Sequence, residues 1–166
     1  MSPEAPHRAF IALGGNEGEV QSTLTEAGWA IDGLPQTSIR AHSTTYRTPA
    51  WGRTDQPEFL NAVVEVQTRL APQVLLKHLL AIEQRFGRVR RAGERWGPRT
   101  LDLDLLTYGE EVLDEPGLHL PHPRMHERAF VLVPLAEIAP MLNIPGHGRV
   151  SDLLATLDSR GIEAVP

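Results

Sequence analysis

Apolar residues recur along this chain with two different periods, and the switches between them lay out its elements. Val20, Leu24, Ala27, Ile31 and Leu34 follow the stripe of an amphipathic helix, with Pro35 just past its end. Pro72, then Leu75, Leu79, Ile82 and Phe86, then Gly87, repeat that signature with a start and a stop of their own. Residues 59–68 alternate instead: Leu60, Ala62, Val64 and Val66 share one face of a strand, and Phe59, Asn61, Val63 and Glu65 the other. Shorter strands are expected at residues 8–13, 39–46 and 101–108, with a turn at Gly14-Gly15-Asn16-Glu17-Gly18 and a loop over residues 47–57. The order strand, helix, strand, strand, helix, strand predicts an α+β fold with a ferredoxin-like βαββαβ core. Beyond it come turns around Pro121 and Pro123, an apolar segment over residues 129–138, and a last helix opened by Ser151 and carrying Leu153, Leu154 and Leu157.

Composition narrows the class of protein. A chain of 166 residues with 41% hydrophobic content suits one domain over residues 1–166. The net charge of -5 provides no general field for nucleic acid or anionic membrane, so any phosphate site must be a local cluster of arginines. The absence of cysteine excludes disulfides and thiolate chemistry and suits a reducing cytoplasm. Neither a signal peptide nor an apolar stretch of about 20 residues is expected.

The chemistry concentrates in one segment, Arg95-Trp96-Gly97-Pro98-Arg99-Thr100-Leu101-Asp102-Leu103-Asp104. On a strand, Asp102 and Asp104 leave the same face with Cα atoms roughly 6.5 to 7 Å apart. Carboxylates that close repel unless a cation accompanies them, and magnesium, which takes one or two carboxylates plus water and phosphates, is the natural candidate. An isolated D-x-D is more often a solvated strand face. Here, however, Arg88, Arg90, Arg91, Arg95 and Arg99 lead directly into the pair, and arginine forks bind phosphate and stabilise a transferring phosphoryl group. Gly14-Gly15-Asn16 lacks the spacing of a dinucleotide fingerprint or a Walker A loop and reads as a structural turn. His119, His122 and His126 have a zinc-like spacing, but Pro121 and Pro123 keep them off a single helix.

The 95–104 run resembles the signature of the hydroxymethyldihydropterin pyrophosphokinases. Three other stretches are similar to that family in order and separation: Ile11 to Asn16, Tyr46-Arg47-Thr48-Pro49 followed by Phe59-Leu60-Asn61, and Leu120 to Arg124 followed by Arg128-Ala129-Phe130. The resemblance implies a three-layer α/β/α sandwich with a mostly antiparallel sheet, and transfer of pyrophosphate from ATP to 6-hydroxymethyl-7,8-dihydropterin with release of AMP. It implies that Asp102 and Asp104 ligate two Mg2+ ions and that Arg88 and Arg99 act on the transferring group. It places Glu83, Arg90, Trp96, His122 and Arg128 around ATP, and Thr48, Pro49, Trp51, Phe59, Asn61 and Phe130 at the pterin. A cytoplasmic monomer acting on these two small molecules, without nucleic acid or membrane, is the corresponding expectation. The sequence departs from the pattern at Gly15, where serine is common, at Phe59, where tyrosine is frequent, at Pro123, and at Gly93, which lengthens the arginine loop.

Phe59 and Asn61 on one strand face suit the pterin role, since a phenyl ring stacks on a flat heterocycle and an amide pairs with its amino-oxo edge. Three rival readings are a two-metal nucleotidyltransferase, which would release pyrophosphate, an RNA-binding module of the same strand order, and an inactive partner-binding domain.

Overall fold

The computed structural model describes residues 5–48, 58–86 and 101–165. In chain order the elements are β1 (His7–Gly15), α1 (Val20–Asp32), β2 (Thr37–His42), β3 (Tyr46–Thr48), β4 (Phe59–Thr68), α2 (Pro72–Arg85) and β5 (Asp102–Tyr108). They continue with the β6 (Leu113–Glu115) and β7 (Leu118–Leu120) hairpin, a 3-10 turn at Met125–Glu127, and α3 (Ala129–Ile138). The chain closes with β8 (Asn143–Ile144), β9 (Gly148–Arg149), α4 (Val150–Ala155) and β10 (Glu163–Ala164).

The main sheet runs β10-β3-β4-β1-β5, with β2 also paired to β4. Every pairing in it is antiparallel. The two strands with the longest apolar patterns, β1 and β4, lie side by side over their whole lengths, from His7 opposite Thr68 to Gly15 opposite Leu60. The remaining strands flank this pair, which gives the ferredoxin-like order expected from the element sequence.

Two cores, one on each face, explain why β4 carries apolar residues on both. Leu24, Ala27 and Ile31 of α1 and Leu75, Leu79 and Ile82 of α2 pack on Ile11, Leu13, Val64, Val66, Leu103 and Leu105. On the opposite face Leu132 and Leu135 of α3, with Met125, Ile144 and Val150, cover Phe10, Val63 and Leu106. The result is helices, sheet, helices: a three-layer sandwich. Leu132 is fully buried, so Leu132→Ala should cost about 2 to 5 kcal/mol. The α3 layer also covers the sheet face that RNA-recognition domains offer to bases.

Three local expectations need correction. The strand expected over residues 39–46 is two strands, because the chain carries one extra residue between His42, which pairs with Val64, and Tyr46, which pairs with Asn61. Ser43 bridges this bulge: its N–H donates to the Val63 carbonyl at 2.9 Å and its hydroxyl accepts the Val63 N–H at 2.9 Å. Gly14 and Gly15 are strand rather than turn, and within this run only Gly18 takes a positive φ, of 77°. Ser151 does not open α4. Arg149 stands at its N-cap, and the first amides donate to the preceding chain, Val150 to the Leu142 carbonyl and Ser151 to the Pro140 carbonyl.

Candidate active site

Asp102 and Asp104 lie on β5, two residues apart, on one face of the strand and partly exposed. Across the ladder Asp102 pairs with Gly14 and Asp104 with Ala12. Gly14 pairs on its other side with Asn61, and Ala12 with Val63. Residues directly opposite in an antiparallel pair share a face, so both aspartates and Asn61 face the α3 layer. The row Asn61, Gly14, Asp102 spans about 10 Å at ordinary strand spacing, with no side chain in the middle.

That gap is required. A Cβ on Gly14 would lie 2.7 Å from Asn61 Oδ1. The Asn61 amide is turned by one further contact, as Nδ2 donates to Thr48 Oγ1 at 3.0 Å. Thr48 is buried and stands opposite Phe59. Phe130 is the second residue of α3 and packs against the core on the same face of the sheet. The structure therefore brings Thr48, Phe59, Asn61 and Phe130 to the face that carries the aspartates.

The residues expected around ATP divide into three groups. His122 donates its backbone N–H to the Leu106 carbonyl of β5 at 2.8 Å, and its Nδ1 accepts the Arg124 N–H at 3.2 Å. Burial first, then the Arg128 and Arg124 guanidinium groups, push the imidazole down to about 4, against the opposing pull of Asp102. It is neutral at physiological pH. Arg128 caps α3 and holds its guanidinium 5.6 Å from the Phe130 ring centroid. Glu83 is buried on α2, where its carboxylate accepts the Leu103 N–H at 2.7 Å, between the two aspartates in sequence. Its visible work is to hold β5. Pro49, Trp51, Arg88, Arg90, Trp96 and Arg99 lie outside the described residues.

The histidine triplet does not converge. His119 pairs with Asp114 at 2.7 Å, and His126 stacks on His147 at 3.7 Å. Among the described residues no three acidic or imidazole groups form a metal site unaided. A shallow cavity of about 430 Å³ lies elsewhere, lined by Glu17, Glu19 and Glu58 among others, and contains none of the expected site residues. Reading the sequence missed Gly14 as a contact, although a glycine inside a strand pattern signals close approach. It also missed Glu137, whose partners are more than 90 positions away.

The chain is similar to known proteins over most of its length. Residues 10–140 match the model of the 7,8-dihydro-6-hydroxymethylpterin-pyrophosphokinase family. Proteins named 2-amino-4-hydroxy-6-hydroxymethyldihydropteridine pyrophosphokinase are similar over nearly their full lengths. That of Pseudomonas aeruginosa is 46% identical over 96% of this chain and 97% of its own. That of Methylorubrum extorquens is 50% identical over 95% of this chain and 98% of its own. Among solved structures, the wild-type HPPK-DHPS of Plasmodium falciparum with pteroate superposes with a TM-score of 0.70 at 14% identity, over 93% of this chain and 43% of that one. At that identity it shows the fold, and this chain spans under half of the larger protein. The sequence signature, the sandwich fold and the full-length relatives agree: the chain belongs to the hydroxymethyldihydropterin pyrophosphokinase family.

Proposed function

We infer that this chain transfers the β,γ-pyrophosphoryl group of ATP to the hydroxymethyl oxygen of 6-hydroxymethyl-7,8-dihydropterin, a step of folate biosynthesis. The observation that carries the reading is the row Asn61, Gly14, Asp102, which sets an amide assigned to the pterin ring in line with the carboxylate pair assigned to the metal, with only a glycine between them. The hydroxymethyl oxygen bonds to the β-phosphorus and gives up its proton to solvent, the bond from that phosphorus to the α,β-bridging oxygen breaks, and AMP leaves with that oxygen and the bonding electron pair.

Asp102 and Asp104 suit Mg2+, since both are hard oxygen donors on one face of β5, opposite the small residues Gly14 and Ala12. Two such ions would neutralise the triphosphate and the developing charge. Asn61, held by Thr48, reads the amino-oxo edge of the pterin, and Phe59 and Phe130 supply flat apolar walls. His122, neutral and flanked by Arg128, has Nδ1 taken by the Arg124 N–H and so donates from Nε2 at the nucleotide without adding charge, while Arg128 faces phosphate. Glu83 keeps β5 in place beneath ATP. Arg88 and Arg99 are assigned to the transferring group, Arg90 and Trp96 to ATP, and Pro49 and Trp51 to the pterin. Positioning and charge stabilisation suffice for this class of transfer, so no strong general base is required.

The reading also makes the protein a cytoplasmic monomer; no described helix is long and apolar enough to cross a membrane. Light scattering at micromolar concentration checks the oligomeric state. Incubation with ATP, Mg2+ and the pterin alcohol tests the activity: AMP supports it, whereas pyrophosphate would indicate a nucleotidyltransferase.

A further inference from the structure

The extra residue between β2 and β3 decides which side chains face Asn61. Continuing the β2 register of His42 opposite Val64 without it would set Thr45 across from Asn61 and Arg47 across from Phe59. With it, Tyr46 stands opposite Asn61 and Thr48 opposite Phe59. Only this register delivers the Thr48 hydroxyl to Asn61 Nδ2. A bulge leaves backbone groups without ladder partners and must be held by something else.

Glu137 holds it. From the last turn of α3 its carboxylate accepts the Thr44 N–H at 3.0 and 3.1 Å and the Thr44 hydroxyl at 3.1 Å. It also accepts the Tyr46 hydroxyl at 2.6 Å. β3 has only three residues and its other neighbour, β10, only two, so few ladder bonds oppose a slip. Glu137 lies seven residues after Phe130 on the same helix, about 10 Å along the axis. One carboxylate thus fixes both the register of β3 and the seat of the helix that carries Phe130. Charge-assisted hydrogen bonds of this kind are stronger than neutral ones.

We propose that Glu137 is a positioning residue for the pterin site, acting through Thr44 and Tyr46 to hold Thr48 against Asn61 and α3 against the sheet. The proposal rests on reading Asn61 and Phe59 as part of the pterin site. Glu137 touches no substrate, so its removal should weaken pterin binding and leave the nucleotide almost untouched.

The test is a fluorescence titration with 6-hydroxymethylpterin in the presence of Mg2+ and α,β-methylene-ATP, with the affinity for the analogue and the Tm measured alongside. Glu137→Ala should bind the pterin about tenfold more weakly and the analogue within twofold of wild type. Glu137→Gln, which keeps a carbonyl acceptor, should recover most of the loss. Tyr46→Phe removes only a hydroxyl and should cost about threefold, which keeps the test intact if the alanine variant folds poorly. Asn61→Ala separates two failures. If it loses pterin affinity while Glu137→Ala and Tyr46→Phe match wild type, the positioning role is wrong. If Asn61→Ala itself binds normally, the site assignment is wrong and this inference falls with it. Equal losses for pterin and nucleotide in Glu137→Ala would mark a general structural role and also overturn it.

Discussion

Asn61 and Asp102 stand in one row across the sheet with Gly14 between them, so the amide assigned to the pterin and the first of the carboxylates assigned to the metal share one sheet face with no side chain between them. The strand order β4-β1-β5 creates this neighbourhood from residues 41 positions apart. A side chain on Gly14 would close it. Gly14→Ala introduces a Cβ 2.7 Å from Asn61 Oδ1. The amide can relieve the overlap only by turning away from Thr48. The expected outcome is a KM for the pterin alcohol raised at least about tenfold, with the ATP KM little changed. Steady-state kinetics with each substrate varied in turn checks this.

Asp102→Ala and Asp104→Ala should each abolish AMP formation while leaving the fold intact, because both carboxylates are partly exposed and neither fills a core. The Tm of either variant should stay within a few degrees of wild type. Chelation with EDTA should reproduce the loss of activity in the wild type, and added Mg2+ should restore it.

Arg99→Ala should slow the chemical step by about two to four orders of magnitude, since charge spread over the transferring group then loses its arginine fork. Rapid-quench single-turnover measurement under saturating ATP and pterin isolates that step. Unchanged KM values with a depressed rate would match interaction made only in the transition state.

His122 gives the metal-free protein a pH-dependent stability. Its folded-state value of about 4 lies below the 6.5 of an ordinary histidine. Between those values the unfolded chain binds the proton and the folded chain does not, so stability is retained above 6.5 and lost as pH falls toward 4. His122→Asn should flatten this loss. Urea unfolding of both proteins at pH 7, 6, 5 and 4.5 would show wild type declining more steeply.

The layout of the fold and the shared face of Asp102 and Asp104 were legible in the sequence because both depend on local periodicity. Alternation in residues 59–68 placed Phe59 and Asn61 on one face, and the one-residue spacing of Asp102 and Asp104 placed them on one face of another strand. What it did not carry depends on contacts distant in sequence. The bulge at residues 43–45 looks like continuous strand until Val63 and Glu137 supply partners for it. Gly14 and Gly15 look like a turn until β4 and β5 flank them. The amides that begin α4 find carbonyls at Pro140 and Leu142, which no capping pattern at Ser151 could reveal. The pterin and ATP roles came from family resemblance, with Phe59 and Asn61 the residues whose chemistry supported it independently.

The position of attack on ATP can be read directly from the nucleotide products. The purified protein is incubated with ATP, Mg2+ and 6-hydroxymethyl-7,8-dihydropterin, and the nucleotide products are separated by ion-exchange chromatography. AMP formed in a one-to-one ratio with pterin diphosphate, and only when all three components are present, is the predicted result. Pyrophosphate with an adenylylated pterin, or no AMP from folded protein that binds both substrates, would contradict it.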